Sequence, residues 1–485
     1  MICIFLSKTD RIKRKIEMNH YISNDTLFLE NIENLLIEDV KLKLSEEAKI
    51  NIQKSQDFLS RWSLEQQKQN IPNENADFQC RLLKSYACGV GTAIPDEVVK
   101  LMLFLKIQSF CYGFSGIRLE IIERFLDFFN YNVLPVVYSK DTPDDRISLA
   151  HLSLPLIGEG EVRIKGKIFS SCELEEKFGW KPLHLKEKEA EILLGGTQLT
   201  TAYGAFNMIK ALKLCELSDF IASVSSQVFG VSDLFFSEQV QIVRPHKGQI
   251  QTAESLRKFL KNNEINVEHS EFDTAPEAFR AIPQVHGAVK DTVAHVRKVI
   301  KTEINSVTDN LLVFSKENQL ISSGNSHTLP LSLGLDFLAI ALTSLGNMSE
   351  RRIFHLISSR EDEKEDFFLD LSVFQRITES ILAENKRLST PVSVESPIFT
   401  EKMTDIKGMG GSSAVKCLQV IENIEQILAV ELLVAVLWSI NQKIAFTSSV
   451  LNEYIDYLEL QTEKISLKKS IEKTIQFFKK EKRES

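Results

Sequence analysis

The stretch IENIEQILAVELLVAVLWSI, residues 421–440, decides the fold class. Its first half repeats apolar residues at helical spacing and its second half is apolar on nearly every side, which is typical of a helix inside a protein core. A second stretch of this kind, LGLDFLAIALTSLG, occupies residues 333–346. Long apolar helices bury their surfaces by packing against one another. These two stretches therefore predict a mainly α protein built around a long central helical bundle.

Shorter elements surround these two helices. LSEEAKINIQKSQDFLSRW, residues 44–62, begins with Ser45 and two acids, which predicts a helix with a serine N-cap. The basic stretch SLKKSIEKTIQFFKKEKRES, residues 466–485, is amphipathic and could lie on a membrane, but the acidic balance of the chain favours a surface helix. A further helix is predicted in residues 94–114, and short strands in NVLPVV (132–137) and EVRIKGKIFS (161–170).

Composition restricts the classes of function. The chain has 485 residues, of which 43% are hydrophobic and 26% charged, as in an ordinary globular protein. Its formal net charge is −8, which argues against a basic surface for nucleic acid or anionic membranes. We therefore expect neither nucleic acid nor membrane as a partner.

The cysteines and the apolar segments predict a location. The seven Cys are scattered without a CxxC or a Cys/His cluster, which indicates reduced thiols and no metal site. MICIFL, residues 1–6, is too short for a signal peptide and precedes its basic residues. The apolar runs are expected to be too short to cross a bilayer, and residues 427–440 contain Glu431. We predict a cytoplasmic protein.

Nine ordered stretches resemble the histidine and aromatic amino acid ammonia-lyases, from about Thr26 to about Ser470. They are GVGTAIPDEVVKLMLFLKIQSFCYGFSGIR (89–118), LAHLSLPLIGEGEV (149–162), GGTQLTTAYG (195–204), RPHKGQ (244–249), FRAIPQVHG (279–287), NSVTDN (305–310), DFLAIALTSLGNMSERR (336–352), ENKRLSTPVSVES (384–396) and IENIEQILAVELL (421–433). The resemblance implies one domain over residues 18–485. Its site loops would lie in a smaller mixed region at about 18–200, and the bundle and C-terminal helices at about 201–485. Residues 1–17 fall outside it and are expected to be a misassigned start or a disordered leader.

The resemblance implies an activity and an assembly. Members of this family are mostly helical homotetramers that remove ammonia from histidine, phenylalanine or tyrosine. They use methylidene-imidazolone, an electrophile made from their own backbone at an Ala-Ser-Gly triplet, and usually a Tyr on a mobile loop as the base. Other Tyr, Asn and Arg residues hold the substrate.

The cofactor triplet is degenerate in this chain. By alignment from LAHL, the family's Ala-Ser-Gly corresponds to Thr142, Pro143 and Asp144. Cyclisation needs a close backbone approach that Gly permits, followed by dehydration of the middle Ser. Pro143 has no β-hydroxyl to lose and its ring fixes φ, and Asp144 adds bulk where Gly is needed. We therefore predict that methylidene-imidazolone does not form.

Other positions of the family's site have changed as well. The loop Tyr is absent from the stretch SLEQQKQNIPNENADFQC, where it should stand. By the same resemblance, Tyr86 replaces a His, Gly195 replaces an Asn, Glu277 replaces a Tyr and Ser326 replaces a Phe.

Part of the binding site is retained. The resemblance makes Arg280 the partner of a substrate carboxylate, and Asn310, Gln284 and Tyr86 further candidates for ligand binding. Arg280 could equally pair with an acid in a subunit contact. Asn310 and Asp145 are better explained as structural hydrogen-bonding groups, since buried polar groups need partners in any case.

The sequence GSSAVK, residues 411–416, is similar to the Gly-Ser-Ser signature of the fumarase and argininosuccinate lyase superfamily, in which a loop Ser is the base. Here it precedes the long apolar stretch of residues 421–440. We therefore predict that Ser412 is a helix N-cap and not a catalytic base.

Three functions remain open from the sequence. The chain is a non-catalytic relative that binds a small aromatic or unsaturated carboxylate, or that joins an active paralogue in a mixed oligomer. Alternatively, it catalyses acid–base addition, elimination or isomerisation of an activated substrate, with Glu277, Asp144 and Asp145 as candidate catalytic carboxylates. A cofactor-free ammonia-lyase is the least favoured alternative.

The alignment makes a geometric prediction. Five residues should converge on one cavity, where Glu277 is expected to face Arg280: Thr142, Asp144, Glu277, Arg280 and Asn310. The apolar helices further predict a homotetramer, because so much apolar surface is unsuited to the outside of a monomer.

Overall fold

The computed structural model describes residues 18–37, 40–68, 76–140, 145–261, 275–358, 365–395, 406–442, 446, 448–458 and 467–480. Their helices are α1 Leu29–Ile37, α2 Glu46–Lys68, α3 Ala76–Tyr86, α4 Asp96–Cys111, α5 Leu119–Asn130, α6 Arg146–Ser153, α7 Leu174–Phe178, α8 Glu189–Leu194, α9 Gln198–Phe229, α10 Glu238–Ile242, α11 Lys247–Lys261, α12 Glu277–Arg280, α13 Ile282–Glu303, α14 Leu329–Ser358, α15 Glu365–Leu388, α16 Gly410–Asn441, α17 Ser449–Leu458 and α18 Leu467–Lys480. The mainly α prediction is confirmed. The expectation for residues 1–17 concerns a segment outside the described residues.

The strands are short and lie mostly in the N-terminal part. They are β1 Met18–Ile22, β2 Val40–Leu44, β3 Val90–Ala93, β4 Val133–Pro135, β5 Tyr138–Lys140, β6 Glu161–Ile164, β7 Lys167–Ser170, β8 Leu311–Phe314 and β9 Gln319–Ser322. The pairing β1–β2 is parallel, whereas β3–β5, β4–β6–β7 and the hairpin β8–β9 are antiparallel. Both predicted extended stretches therefore contain strands.

The bundle core is formed by α9, α13, α14 and α16. The helix α14 packs against α13 and α16, and α16 packs against α9. The apolar half of α16 is buried along nearly its whole length, as its sequence predicts. Inside this core, Arg352 of α14 donates to both carboxylate oxygens of Glu431 of α16 at 2.6 and 3.0 Å, and Ser225 of α9 donates to Glu431 at 2.7 Å. This bonded group joins three helices.

Two helix starts test the capping predictions. The backbone N–H of Ala48 donates to Ser45 Oγ at 3.1 Å, so the serine cap of α2 is confirmed. The Ser412 cap is wrong, because α16 already begins at Gly410 and its N-cap is Met409 with φ 54°. Gly is required at 410 because a Cβ there would lie 2.5 Å from Thr200 Oγ1. The glycine just before GSSAVK thus serves close packing.

Two helices, the apolar α14 and the amphipathic α18, bear on the membrane expectations. By length and apolar composition alone, α14 is the one helix in the described residues that could cross a membrane, but 61% of its most apolar stretch is buried in the protein. The expectation that the apolar runs are too short therefore fails for α14, whose burial is that of a core helix. The C-terminal α18 packs on α16 through a face with buried Thr474 and Phe477.

Candidate functional site

A cavity of about 330 Å³ lies where the N-terminal helices meet the loop that precedes β8. Such a volume suits a small organic ligand. The walls come from the end of α3, the start of α6, the end of α8 and the hairpin β8–β9. The lining residues are Leu82, Tyr86, Arg146, Glu191, Ile192, Leu194, Gly195, Asp309, Asn310, Leu311 and Ser322.

One side of the cavity carries a cation and a phenol. Arg146 is the first residue of α6 and is half-buried. Its Nη1 donates to the Tyr86 hydroxyl at 3.4 Å, and its Cζ lies 5.9 Å from the centre of the Tyr86 ring. A guanidinium is a bidentate donor suited to carboxylates. This side of the cavity can therefore bind an anionic group.

The cavity lining also includes Asp309, one member of a buried ion pair. Lys106 of α4 and Asp309 are almost fully buried, and Lys106 Nζ lies 3.7 Å from Asp309 Oδ1. That distance is too long for a hydrogen bond, while Asp309 Oδ2 accepts a bond from the Ser115 hydroxyl. Burial raises the pKa of Asp309, and the charge of Lys106 opposes this shift. Burial likewise lowers the pKa of Lys106, with Asp309 opposing.

Lys106 also fixes the backbone of the cavity wall. Its ammonium donates to the carbonyl oxygen of Ile192 at 3.0 Å and to that of Gly195. These carbonyls belong to the C-terminal end of α8, where a cation is favourable. The lysine therefore connects the buried ion pair to the turn at Gly195.

Asn310 lines the cavity, and its amide oxygen takes part in structural hydrogen bonds. Its Oδ1 accepts bonds from the backbone N–H and the hydroxyl of Ser326, at 3.2 and 2.8 Å. Among the described residues, no hydrogen-bond partner is seen for its Nδ2, which leaves an amide donor beside the cavity. Tyr86, Gly195 and Asn310, which the family pattern assigns to one site, thus line one cavity.

Asp145 is engaged in the scaffold. Both carboxylate oxygens bind Thr200 in the first turn of α9: one accepts from the backbone N–H at 2.9 Å and the other from the hydroxyl at 2.6 Å. A carboxylate is favourable at a helix N-terminus. This geometry favours the structural interpretation of Asp145 over a catalytic one.

Glu277 and Arg280 do not meet this cavity in the single chain. The two residues between them on α12, Ala278 and Phe279, are buried against the bundle and turn both charged side chains toward solvent. No ion pair joins Glu277 to Arg280 in the described structure, so the expected facing pair is not formed. Gln284 lies half-buried on α13, away from the cavity lining, and its buried Oε1 finds no hydrogen-bond partner within the described residues.

The cofactor triplet Thr142, Pro143 and Asp144 falls outside the described residues. The structure does describe the residues on either side of this triplet: β5 ends at Lys140, and Arg146 lines the cavity. The residues present do not suit methylidene-imidazolone, because proline supplies no β-hydroxyl for dehydration. Three of these residues, Arg146, Lys106 and Asp309, were not predicted from the sequence. A lysine within the apolar run LMLFLKIQSF was the available signal for Lys106.

A bundle of long buried helices with a small-ligand cavity at its N-terminal side defines the class of protein. The chain belongs to the aromatic amino acid lyase family, whose model matches residues 27–449. It is 37% identical to a histidine ammonia-lyase of Caldanaerobacter subterraneus subsp. tengcongensis over 74% of this chain and 72% of the relative. A histidine ammonia-lyase of Alkaliphilus oremlandii is 33% identical over 85% and 87%.

Solved structures share the fold. Histidine ammonia-lyase from Trypanosoma cruzi superimposes with a TM-score of 0.86 at 27% identity, over 95% of this chain and 93% of that one. Ergothionase from Treponema denticola, an ergothioneine-degrading enzyme, superimposes with a TM-score of 0.86 at 23% identity, over 96% and 99%. The second likeness concerns the fold alone.

Proposed function

We propose that this chain is a non-catalytic relative of the ammonia-lyases that binds a small carboxylate in the cavity beside Arg146. The proposal is supported by a cavity with a guanidinium, a phenol and an amide on its walls, together with a sequence that reads Thr-Pro-Asp at residues 142–144. Ammonia is a poor leaving group without an electrophile to activate it. The fold and a binding cavity are retained, and the activating chemistry is not.

Binding would begin with the ligand's carboxylate at Arg146. Tyr86 and the Asn310 amide can add hydrogen bonds from either side, and the apolar Leu82 and Leu194 can contact a ring. Charge-assisted bonds to a guanidinium are shorter and stronger than neutral ones. The ligand class that follows is a small aromatic or unsaturated carboxylate.

We further propose a homotetramer in the cytoplasm, or a mixed oligomer with an active paralogue. Arg280 is exposed in the single chain. If it serves a ligand carboxylate as the family pattern implies, a second copy of the chain must bring it to the cavity. The cytoplasmic location rests on the scattered cysteines.

A repurposed enzyme is the second candidate. It is favoured by Asp309, whose pKa is raised by burial at the edge of the cavity, as suits a general acid or base. Such an enzyme would need a substrate whose leaving group requires no electrophile. Because one solved relative is an ergothioneine-degrading enzyme, ergothioneine belongs among the compounds tested.

The decisive experiment measures binding and turnover on the same protein. Calorimetry with phenylalanine, histidine and cinnamate should show binding. Mass spectrometry, run with ergothioneine as well, should show no ammonia loss from either amino acid and no breakdown of ergothioneine. Arg146→Gln should weaken carboxylate binding about tenfold or more, since hydrogen bonds to charged groups contribute about 1.5–3 kcal/mol. Arg297→Gln is the matched control, because Arg297 pairs with Glu30 at the surface.

The outcomes separate the candidates. Turnover of histidine or phenylalanine would show that the chain is catalytic after all, and turnover of ergothioneine alone would support the repurposed enzyme. No binding by any compound would remove the ligand-binding proposal. The intact mass should equal the encoded mass, and a peptide spanning residues 142–144 that has lost two waters would contradict the absence of the cofactor.

A further inference from the structure

A second cavity lies between the C-terminal end of α13 and the N-terminal end of α9. Its volume is about 10 Å³, which is room for one particle of the size of a water molecule. Most of its lining side chains carry oxygen atoms, and they include Ser109, Thr197, Gln198, Thr201, Glu303 and Thr308. The cavity can therefore hold one small particle among oxygen atoms.

Two lining residues have buried oxygen atoms without a hydrogen bond. Ser109 and Gln198 are only 2% and 4% exposed. The Ser109 hydroxyl and Gln198 Oε1 have no partner in the part of the chain that the structure describes. The amide nitrogen of Gln198 donates to Thr308 Oγ1 at 3.5 Å, so the amide oxygen is the atom left without a bond. Buried oxygen atoms of this kind are rare in proteins unless a water molecule or an ion binds them.

The carboxylate of Glu303 lacks a balancing cation. Glu303 is half-buried and is the last residue of α13. Among the described residues, no salt bridge or hydrogen bond to its side chain occurs. Burial raises the pKa of Glu303, and no neighbouring charge of the described structure opposes this shift. A carboxylate that is removed from water is more easily charged when a cation lies close to it.

The helix ends at this cavity also favour a positive charge. The C-terminal end of α13 carries a partial negative charge from its free carbonyl groups. The N-terminal end of α9 carries the opposite charge, but Asp145 already binds Thr200 in the first turn of that helix. A cation beside Glu303 therefore lies in a negative environment.

We propose that this cavity binds one monovalent metal cation of the size of K⁺. The Glu303 carboxylate balances its charge, and Gln198 Oε1 and the Ser109 hydroxyl oxygen are neutral ligands. Oxygen atoms are the ligands that such hard cations prefer in proteins. A single carboxylate neutralises a monovalent ion but leaves a divalent ion with excess charge. In keeping with this, the described residues contain no cluster of three or more His, Cys, Asp or Glu side chains that could hold a metal ion.

The ion would join three helices, because Ser109 belongs to α4, Gln198 to α9 and Glu303 to α13. We therefore expect bound K⁺ to stabilise the fold. The site is separate from the cavity beside Arg146, so its failure would leave the proposed function untouched.

The test compares the melting temperature of the full chain in KCl and in choline chloride at equal ionic strength. KCl should raise it by about 1–3 °C relative to choline chloride, because a ligand that binds only the folded state stabilises that state. Glu303→Gln should remove this difference, since the amide has the shape of the carboxylate but no charge. Ser109→Ala, which removes one neutral oxygen, should reduce it. Glu317→Gln is the matched control and should keep it, because Glu317 is exposed between β8 and β9.

Crystals soaked in a thallium(I) salt locate the ion directly, because Tl⁺ can take the place of K⁺ and scatters anomalously. A thallium peak between Ser109, Gln198 and Glu303, with a KCl effect that the variants of Ser109 and Glu303 lower, establishes the site. No thallium peak in the cavity would show that it holds water only and would overturn the proposal. A KCl effect that persists unchanged in both variants would place the ion elsewhere and overturn it as well.

Discussion

His286 is a buried base whose second ring nitrogen has no partner. It lies on α13 at 1% exposure, and its Nδ1 is 2.9 Å from Asp219 Oδ1. No hydrogen bond to its Nε2 is found within the residues that the structure describes. Burial lowers the pKa of His286 below the ordinary 6.5, and nearby Arg352 and Lys290 act in the same direction while Asp219 opposes. The neutral ring is the form that the fold accommodates.

Because the pKa of His286 is lowered, we expect the protein to lose stability in acid. The folded state disfavours the protonated ring. The contribution of the neutral His286 ring to stability is therefore present above pH 6.5 and is lost as the pH falls below that value. His286→Gln, which keeps a donor for Asp219, should show a smaller fall in melting temperature between pH 7 and 5. His295→Gln, at an exposed position of the same helix, should keep the slope of the unmodified chain. Parallel slopes for all three proteins would contradict this role for His286.

For single residues, the sequence predicts which side chains belong to the site better than it predicts where those side chains point. Tyr86 and Asn310 could be assigned to the site because their motifs align with a family pattern. Arg280 could be assigned to the site in the same way. Only the packing shows that Phe279, the buried neighbour of Arg280, leaves the Arg280 side chain directed toward solvent. Arg146 was missed for the opposite reason. No motif contains it, and its role follows from the first turn of α6 facing the cavity.

The pair of Arg352 and Glu431 connects two elements of the core, α14 and α16. Both side chains are fully buried, so removal of one charge leaves the other without a partner. Glu431→Gln should therefore destabilise the protein by about 3–5 kcal/mol, seen as a fall in denaturation midpoint. The control is Glu254→Gln, which removes the acid of a surface pair with Lys258 on α11 and should change the midpoint little. Similar midpoints for both variants would rule out a structural role for the buried pair.

Elements were predictable where one physical signal dominated. The apolar run of α16 gave the correct type of structure because this helix is buried along most of its length. The alternation in residues 161–170 also gave the correct strands, although Val162 is the one buried residue of β6 and β7. The start of α16 was not predicted correctly, since a Ser near a helix start usually indicates a cap. Here the close approach of Thr200 to Gly410 decides the geometry, and that contact is invisible in the sequence.

The molecule exposes an apolar stripe on α14, a 30-residue helix of the bundle core. Leu329, Leu333, Phe337 and Ile340 are all exposed along one side of α14, at helical spacing. Contiguous apolar surface of this kind usually marks a protein contact. Because the family resemblance implies a tetramer, we expect the stripe to lie in a contact between copies of the chain.

The assembly can be tested by placing a charge on the stripe. Phe337→Glu should convert the expected homotetramer to smaller species, because a carboxylate in an apolar contact loses its hydration. Ile168→Glu is the matched control, since Ile168 is 52% exposed on β7, away from the stripe. Light scattering at micromolar concentration distinguishes the species. A monomeric unmodified chain, or an unaffected Phe337→Glu tetramer, would show that the stripe is not the contact.

The turn at Gly195 bears on how this site changed over evolutionary time. Gly195 has an ordinary φ of −77°, and the nearest atom to an added Cβ would be the Glu191 carbonyl oxygen at 3.4 Å. The wall can therefore regain the family's Asn by a single substitution with little strain. Thr142, Pro143 and Asp144 would all have to change together before the electrophile could form. Restoring the Asn of the family pattern thus takes one amino-acid substitution, whereas restoring the cofactor triplet takes three.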